Sequence, residues 1–238
     1  MTVFGKTVWA ALALVPAIGW ADDARAQSAP TDIPAAIEIS ANIGVVSDYR
    51  FRGISLSGRD PAIQGGVDVT TASGFFVGTW TSNVANTGGS HMELDLYGGY
   101  AGSAGGLDYS AKVLGYVYPG GHGVNYVELA GTLGKAIGPA AFEAQVSYVP
   151  DQDNYGYDNL YLGAKVDLAL PSTPLTLRLR GGRESNPAFT KWDWEAGLSW
   201  SHGPLTASLS YIDSDYGGED EAGRLGRGAI VASLLASF

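Results

Sequence analysis

Beyond residue 36, apolar and polar positions alternate with a period of two, segment after segment. Trp192, Trp194, Ala196, Leu198 and Trp200 share one face, while Asp193, Glu195, Gly197 and Ser199 share the other. Leu175, Leu177 and Leu179 alternate with Thr176, Arg178 and Arg180, and Ile37, Ile39, Ala41, Ile43 and Val45 alternate with Glu38, Ser40, Asn42 and Gly44. Successive side chains of a strand point to opposite faces, so each segment reads as a strand with one apolar and one polar face. The pattern predicts about twelve strands, at 37–53, 62–72, 75–83, 92–101, 107–118, 125–136, 141–149, 159–170, 175–183, 192–200, 205–212 and 229–238. The third is the least regular, because Phe75 and Phe76 put aromatics on both faces.

The connections alternate as well. Those after even-numbered strands are tight, as in Ala72-Ser73-Gly74, Gly138-Pro139 and His202-Gly203-Pro204. Those after odd-numbered strands are longer and more polar, at 54–61, 84–91, 119–124, 150–158, 184–191 and 213–228. Two ends of a sheet that differ in this way face different surroundings, as in transmembrane barrels with short periplasmic turns and long outer loops. Aromatics near strand ends (Tyr49, Tyr100, Tyr148, Trp192, Trp200, Tyr211) fit interface girdles, and Phe238 closes an alternating last strand. Such a terminal aromatic resembles the insertion signal of Gram-negative outer-membrane barrels, which the barrel-assembly machinery reads. The predicted fold is all-β: a transmembrane, antiparallel, up-and-down β-barrel over 37–238. In hydrocarbon every backbone N–H and C=O must be paired internally, which among sheets only a closed barrel achieves.

The first residues do not join this pattern. Lys6 precedes an apolar run from Thr7 to Trp20, and small residues follow in the frames Gly19-Trp20-Ala21 and Ala24-Arg25-Ala26. A charged start, a short apolar middle and a small-residue end predict a secretory signal peptide over 1–26. The run is shorter than the ~20 residues that span a bilayer as a helix. Residues 27–36, with Pro30 and Pro34, read as a periplasmic leader.

Composition narrows the functions. The 238 residues hold 14 Lys+Arg against 24 Asp+Glu, a formal net charge of -10, which argues against nucleic acid as a partner. There is no cysteine, which removes disulfide scaffolds, thiolate metal sites and cysteine nucleophiles. Glycine is abundant at 34 residues, and many glycines lie between alternating positions, where a small barrel bends or needs lumen room.

The chain resembles the TorF-like outer-membrane porins, a family long described as conserved proteins of unknown function. The resemblance is carried by Ser47-Asp48-Tyr49-Arg50-Phe51-Arg52-Gly53-Ile54-Ser55, Pro61-Ala62-Ile63-Gln64-Gly65-Gly66, and Gly74 to Trp80 running into Ser82-Asn83-Val84. Glu93-Leu94-Asp95-Leu96-Tyr97-Gly98-Gly99-Tyr100, Tyr116-Val117-Tyr118-Pro119-Gly120 and Asn125-Tyr126-Val127-Glu128-Leu129 continue it. It covers nearly the whole predicted mature chain and is densest from 41 to 133. It implies a barrel in the outer membrane and a porin role, and it supplies no catalytic or ligand residues.

Parity places Arg50, Arg52, Glu93, Asp95, Lys112, Lys165, Arg178, Arg180, Asp193 and Glu195 on the lumen wall as candidate pore-lining residues. We expect Arg50, Arg52, Arg178 and Arg180 to form the basic side of a constriction against Glu93, Asp95, Asp193 and Glu195. Pairing of the ninth and tenth predicted strands would bring Arg180 opposite Glu195. Opposed acidic and basic walls orient small polar solutes; the alternative is a salt-bridged plug. The rival reading is an outer-membrane barrel enzyme that hydrolyses lipid or peptide, but neither a catalytic, a cofactor nor a metal site is expected. Of the three histidines, His202 lies in a short turn, His122 in a Gly-rich loop, and His91 follows Ser90, so that the two side chains of that pair point apart. The acidic loops 151–158 and 213–220 could hold Ca²⁺ or bridge lipopolysaccharide, but a solvated loop explains them as well. The expected surroundings are outer-membrane lipid and lipopolysaccharide outside and small polar solutes inside. The pattern fits a monomer and a homo-oligomer alike.

Overall fold

The alternating segments close on themselves. A computed structural model describes residues 37–154, 156–216 and 221–238. The predicted signal peptide and leader lie outside these residues. The strands are β1 (Ile37–Val46), β2 (Arg50–Phe51), β3 (Ile54–Ser55), β4 (Ala62–Thr71), β5 (Phe75–Thr87), β6 (Ser90–Ala104) and β7 (Leu107–Val117). Next come β8 (Tyr126–Ile137), β9 (Ala140–Val149), β10 (Asn159–Ala169), β11 (Leu175–Ser185), β12 (Thr190–His202) and β13 (Leu205–Ser214). A short helix, α1 (Glu221–Leu225), precedes β14 (Ala229–Ser237). β1 and β4 to β14 pair antiparallel with their chain neighbours, and β1 pairs with both β4 and β14, so twelve strands form a closed barrel. At the seam, Phe238 and Ala41 exchange backbone hydrogen bonds of 2.8 and 3.0 Å.

The apolar face looks outward. Ile39, Phe75, Leu209 and Ile230 are exposed, the last at 71%, whereas Glu93, Asp95, Glu184 and Lys191 on the other face are 0% exposed. That is the inverse of a water-soluble barrel, and it suits a bilayer. Phe75 and Phe76 divide as a strand requires, the first outward and the second buried in the lumen. The aromatics Tyr100, Tyr148, Trp192, Trp200 and Tyr211 stand outward near strand ends.

Three expectations are corrected. The first strand ends at Val46 rather than at 53, and the chain then turns into the barrel as the hairpin β2–β3. Tyr49 therefore belongs to no girdle: it is 1% exposed inside the lumen, edge-on to Trp80 at 5.4 Å. The connection 84–91 is not a long loop, because β5 and β6 run on to Thr87 and from Ser90 around a two-residue Gly88-Gly89 turn. Both glycines have positive φ, the signature of the tight hairpins whose twist matches the strands.

Candidate functional site

The lumen has two unlike halves. Toward the short turns its wall carries Asp68, Ser110, Thr132, Glu143, Lys165 and Arg178, all partly exposed. Toward the long loops it is filled by Tyr49, Trp80, Leu114, Tyr116, Tyr118 and Tyr126 and by buried charges.

The filling element is the segment between β1 and β4. Phe51 pairs with Ile54 across Arg52 and Gly53, which have φ of 45° and 85°. Two successive positive-φ residues make a tight two-residue hairpin. Glycine is required at the second: a Cβ on Gly53 would lie 2.6 Å from the Cβ of Ser214 and 3.0 Å from that of Asp193. The hairpin tip therefore touches the barrel wall at β12 and β13. Arginine at the first position is strained, and its side chain offsets the cost.

Arg52 spans the lumen. Its Nη2 donates to Glu128 Oε2 on β8 at 2.8 Å, and its Nη1 to Glu184 Oε1 on β11 at 3.3 Å. The guanidinium lies 4.3 Å from the Phe51 ring centroid and 4.2 Å from that of Tyr161. Lys191 Nζ donates to the Arg52 carbonyl at 2.6 Å and lies 2.8 Å from Glu184 Oε2, while Asn159 donates to Glu184 Oε1 at 2.7 Å. Burial acts to lower the Arg52 pKa, but Glu128 and Glu184 outweigh it, and the guanidinium stays charged. Planar, bidentate and weakly hydrated, guanidinium suits this sandwich where an ammonium does not.

Further contacts hold the segment. Tyr49 donates its hydroxyl to Glu93 Oε1 at 2.7 Å, and Tyr118 donates to Glu93 Oε2 at 2.7 Å. Arg50 Nε donates to Asp48 Oδ2 at 2.7 Å, and Ser55 donates to Asp48 Oδ1 at 2.6 Å. Arg59 Nη1 reaches the carbonyls of Arg224 and Arg227 at 3.1 and 3.3 Å, tying the base of the segment to the helical loop before β14.

The ten residues singled out from the sequence all face the lumen, in different company from that expected. Arg50 and Arg52 sit on the inward hairpin, not on a wall strand. Arg180 is in register with Glu195 and lies 3.3 Å from both Glu195 Oε2 and Asp193 Oδ1. Asp193 and Glu195 are thus beside the arginines on the adjacent strand rather than across the lumen. Arg178 pairs in two-pronged fashion with Asp167 at 2.7 and 2.9 Å, and Lys165 lies 3.3 Å from Glu143. Glu93, Asp95 and Lys112, on β6 and β7, occupy a separate stretch of wall, with Lys112 Nζ 5.3 Å from the Tyr97 ring centroid. Parity missed Glu184 and Lys191, which fell inside the predicted loop 184–191. The alternation of the two predicted strands, 175–183 and 192–200, continued one residue further would have included both.

Other chemistry is not assembled. Ser90 is buried and donates to the carbonyls of Met92 and Pro119, and exposed His91 lies on the opposite face. Among the described residues no cluster of His, Asp and Glu is arranged to hold a metal ion. Glu219 and Asp220 of the last acidic loop lie outside the described residues.

The architecture is similar to that of solved porins. The structure described as "KdgM porin" aligns with a TM-score of 0.59 at 7% identity, covering 84% of this chain and 99% of that one. "NanC porin structure in rhombohedral crystal form" aligns at 0.56 and 12% identity, with 84% and 99% covered. "KdgM porin in complex with disordered oligogalacturonate" aligns at 0.58 and 6% identity, with 84% and 98% covered. At such identities the likeness is one of fold. No curated protein matches the chain. Residues 31–238 match the family model described as "Bacterial protein of unknown function (Gcw_chp)", and the chain belongs to that family.

Proposed function

We propose that the protein is an outer-membrane porin-like channel for passive diffusion of small polar or charged solutes, with residues 47–61 as its constriction. One observation carries the reading. A barrel with an apolar exterior encloses a polar, ionisable lumen, and the segment obstructing it lies outside the twelve-strand ladder. Apart from backbone hydrogen bonds near its ends, Ala85 N–H to the Leu56 carbonyl and Ser47 N–H to the Ala232 carbonyl, the segment is held by side chains and can leave without breaking the twelve-strand ladder. The resemblance to TorF-like porins supports the same reading. The ligand of the KdgM complex, an oligogalacturonate, is a polyanion and is not carried over, because buried carboxylates outnumber buried cations in this lumen.

In this reading the chain is exported by its signal peptide, inserted by the barrel-assembly machinery through a signal ending in Phe238, and surrounded by lipid and lipopolysaccharide. The burial of residues 48–55 favours a second reading, a permanently plugged barrel with a structural or surface role. Single-channel recording of the refolded protein, beside a variant with residues 48–57 replaced by a short Gly-Ser linker, separates the two. A channel gives discrete openings in the unaltered protein and larger ones in the variant. A plug gives none in the unaltered protein, and a barrel silent in both forms overturns the channel reading.

A further inference from the structure

Six buried carboxylates share the filled half of the lumen with four buried cations. Most have partners: Asp48 has Arg50, Glu128 and Glu184 have Arg52, Asp193 has Arg180, and Glu93 accepts from two tyrosines. Asp95 is the exception. It is 0% exposed, and neither carboxylate oxygen has a hydrogen-bond partner among the described residues. Lys112 on β7 is the cation nearest in the wall but makes neither a hydrogen bond nor an ion pair with it among the described residues. A buried carboxylate that accepts no hydrogen bond is costly, so an unfilled position of this kind points to a ligand.

Its neighbours define which ligand. Asp95 is directly in register with Trp80 on one side and with Tyr116 on the other, all three on the lumen face. An anion flanked by two electron-rich rings suits an organic ammonium, which donates to the carboxylate while its alkyl hydrogens meet the ring faces. A metal ion needs several oxygens converging on one point, and that arrangement is absent among the described residues. The ring of Tyr49, carried by the inward segment, packs edge-on against Trp80. Withdrawal of the segment would uncover the Trp80 side of the site.

We infer that Asp95, between Trp80 and Tyr116, anchors a binding site for the alkylammonium group of a permeating solute. The inference rests on the channel reading, because the site lies on the path through the barrel. It makes the lumen selective for organic cations over carboxylates.

The test uses the refolded protein and its Arg52→Ala variant, in which the hairpin is loosened. Each is titrated calorimetrically with ethylammonium chloride and, separately, with sodium acetate. Saturable binding of ethylammonium alone is expected, at least as tight in Arg52→Ala. Asp95→Asn should weaken it about tenfold, and Trp80→Leu should weaken it at an independent position; heat-modifiable migration reports folding for each variant. Absence of saturable heat in both forms, acetate binding instead, or affinity unchanged by Asp95→Asn overturns the site. Bilayer recording under an ethylammonium chloride gradient distinguishes the two readings. A reversal potential of cation sign, reduced in Asp95→Asn, supports the inference, and anion sign overturns it. Binding without any conductance overturns the channel and leaves the site standing.

Discussion

Arg52 and Glu184 stand 132 residues apart in the chain and 3.3 Å apart inside the barrel. Glu128 completes the clasp from another wall strand, so one side chain links the inward hairpin to β8 and to β11. All three side chains are at most 1% exposed, which places the clasp where screening by salt is weak.

Removing Arg52 leaves Glu128 without its ion-pair partner, while Glu184 keeps Lys191 at 2.8 Å and Asn159 at 2.7 Å, so the cost is that of one broken buried pair, about 3–5 kcal/mol. Arg52→Ala should therefore lower stability by about that amount in urea unfolding from lipid vesicles. Arg52→Lys should recover only part of it, since an ammonium cannot pair with both carboxylates and also stack on Phe51 and Tyr161. Equal stability of Arg52→Ala and the parent protein would show that the clasp contributes nothing.

The Tyr161 ring that covers Arg52 has its own requirement. A Cβ on Gly182 would collide with the Tyr161 hydroxyl, so glycine on β11 makes the room that the ring occupies. Gly182→Ala should destabilise by about 1–3 kcal/mol, as overpacking does. In a Tyr161→Ala background the same change should cost almost nothing. A double-mutant cycle from urea midpoints measures that coupling; additive losses would mean that Gly182 matters for another reason.

The hairpin tip gives a gentler way to loosen the segment. At Gly53, φ is 85° and the wall is in contact, so Gly53→Ala meets both backbone strain and a steric clash. The barrel ladder is untouched. Heat-modifiable migration should stay that of a folded barrel, while open probability in bilayers rises above that of the parent protein. Unaltered gating would place the constriction elsewhere.

The wall was legible in the sequence because strand alternation is local: each residue's face follows from its neighbour's, and one buried face fixes the whole segment. The inward hairpin was not legible in that way. Asp48, Arg50 and Arg52 alternate with Tyr49 and Phe51 as a strand would, so parity alone extended β1 to residue 53. The contacts that turn the segment inward, to Glu93, Glu128 and Glu184, lie far along the chain. A two-residue turn ending in Gly53 was the available local sign, as the Gly-Gly pair at 88 and 89 was for the β5–β6 hairpin. Charge pairing followed the same division. Arg180 with Glu195 came from adjacent-strand register, whereas the clasp around Arg52 required the closed barrel.

The orientation of the wall predicts opposite responses to one chemical change. Val113 is midway along β7 and exposed on the apolar exterior, and Thr132 is midway along β8 on the partly exposed lumen face. In a bilayer, arginine at a lipid-facing midpoint costs about 2–4 kcal/mol. Inside a watered lumen it keeps its hydration and meets an excess of carboxylates, so its effect stays within about 0.5 kcal/mol, as at an ordinary surface position. Urea unfolding from vesicles should therefore show Val113→Arg strongly destabilised and Thr132→Arg close to the parent protein. A covered apolar core would penalise Val113→Arg as well, so the need of the parent protein for detergent or lipid to stay in solution is what separates the two arrangements. Equal penalties at the two positions would contradict both arrangements and leave the outward face unexplained as a lipid surface.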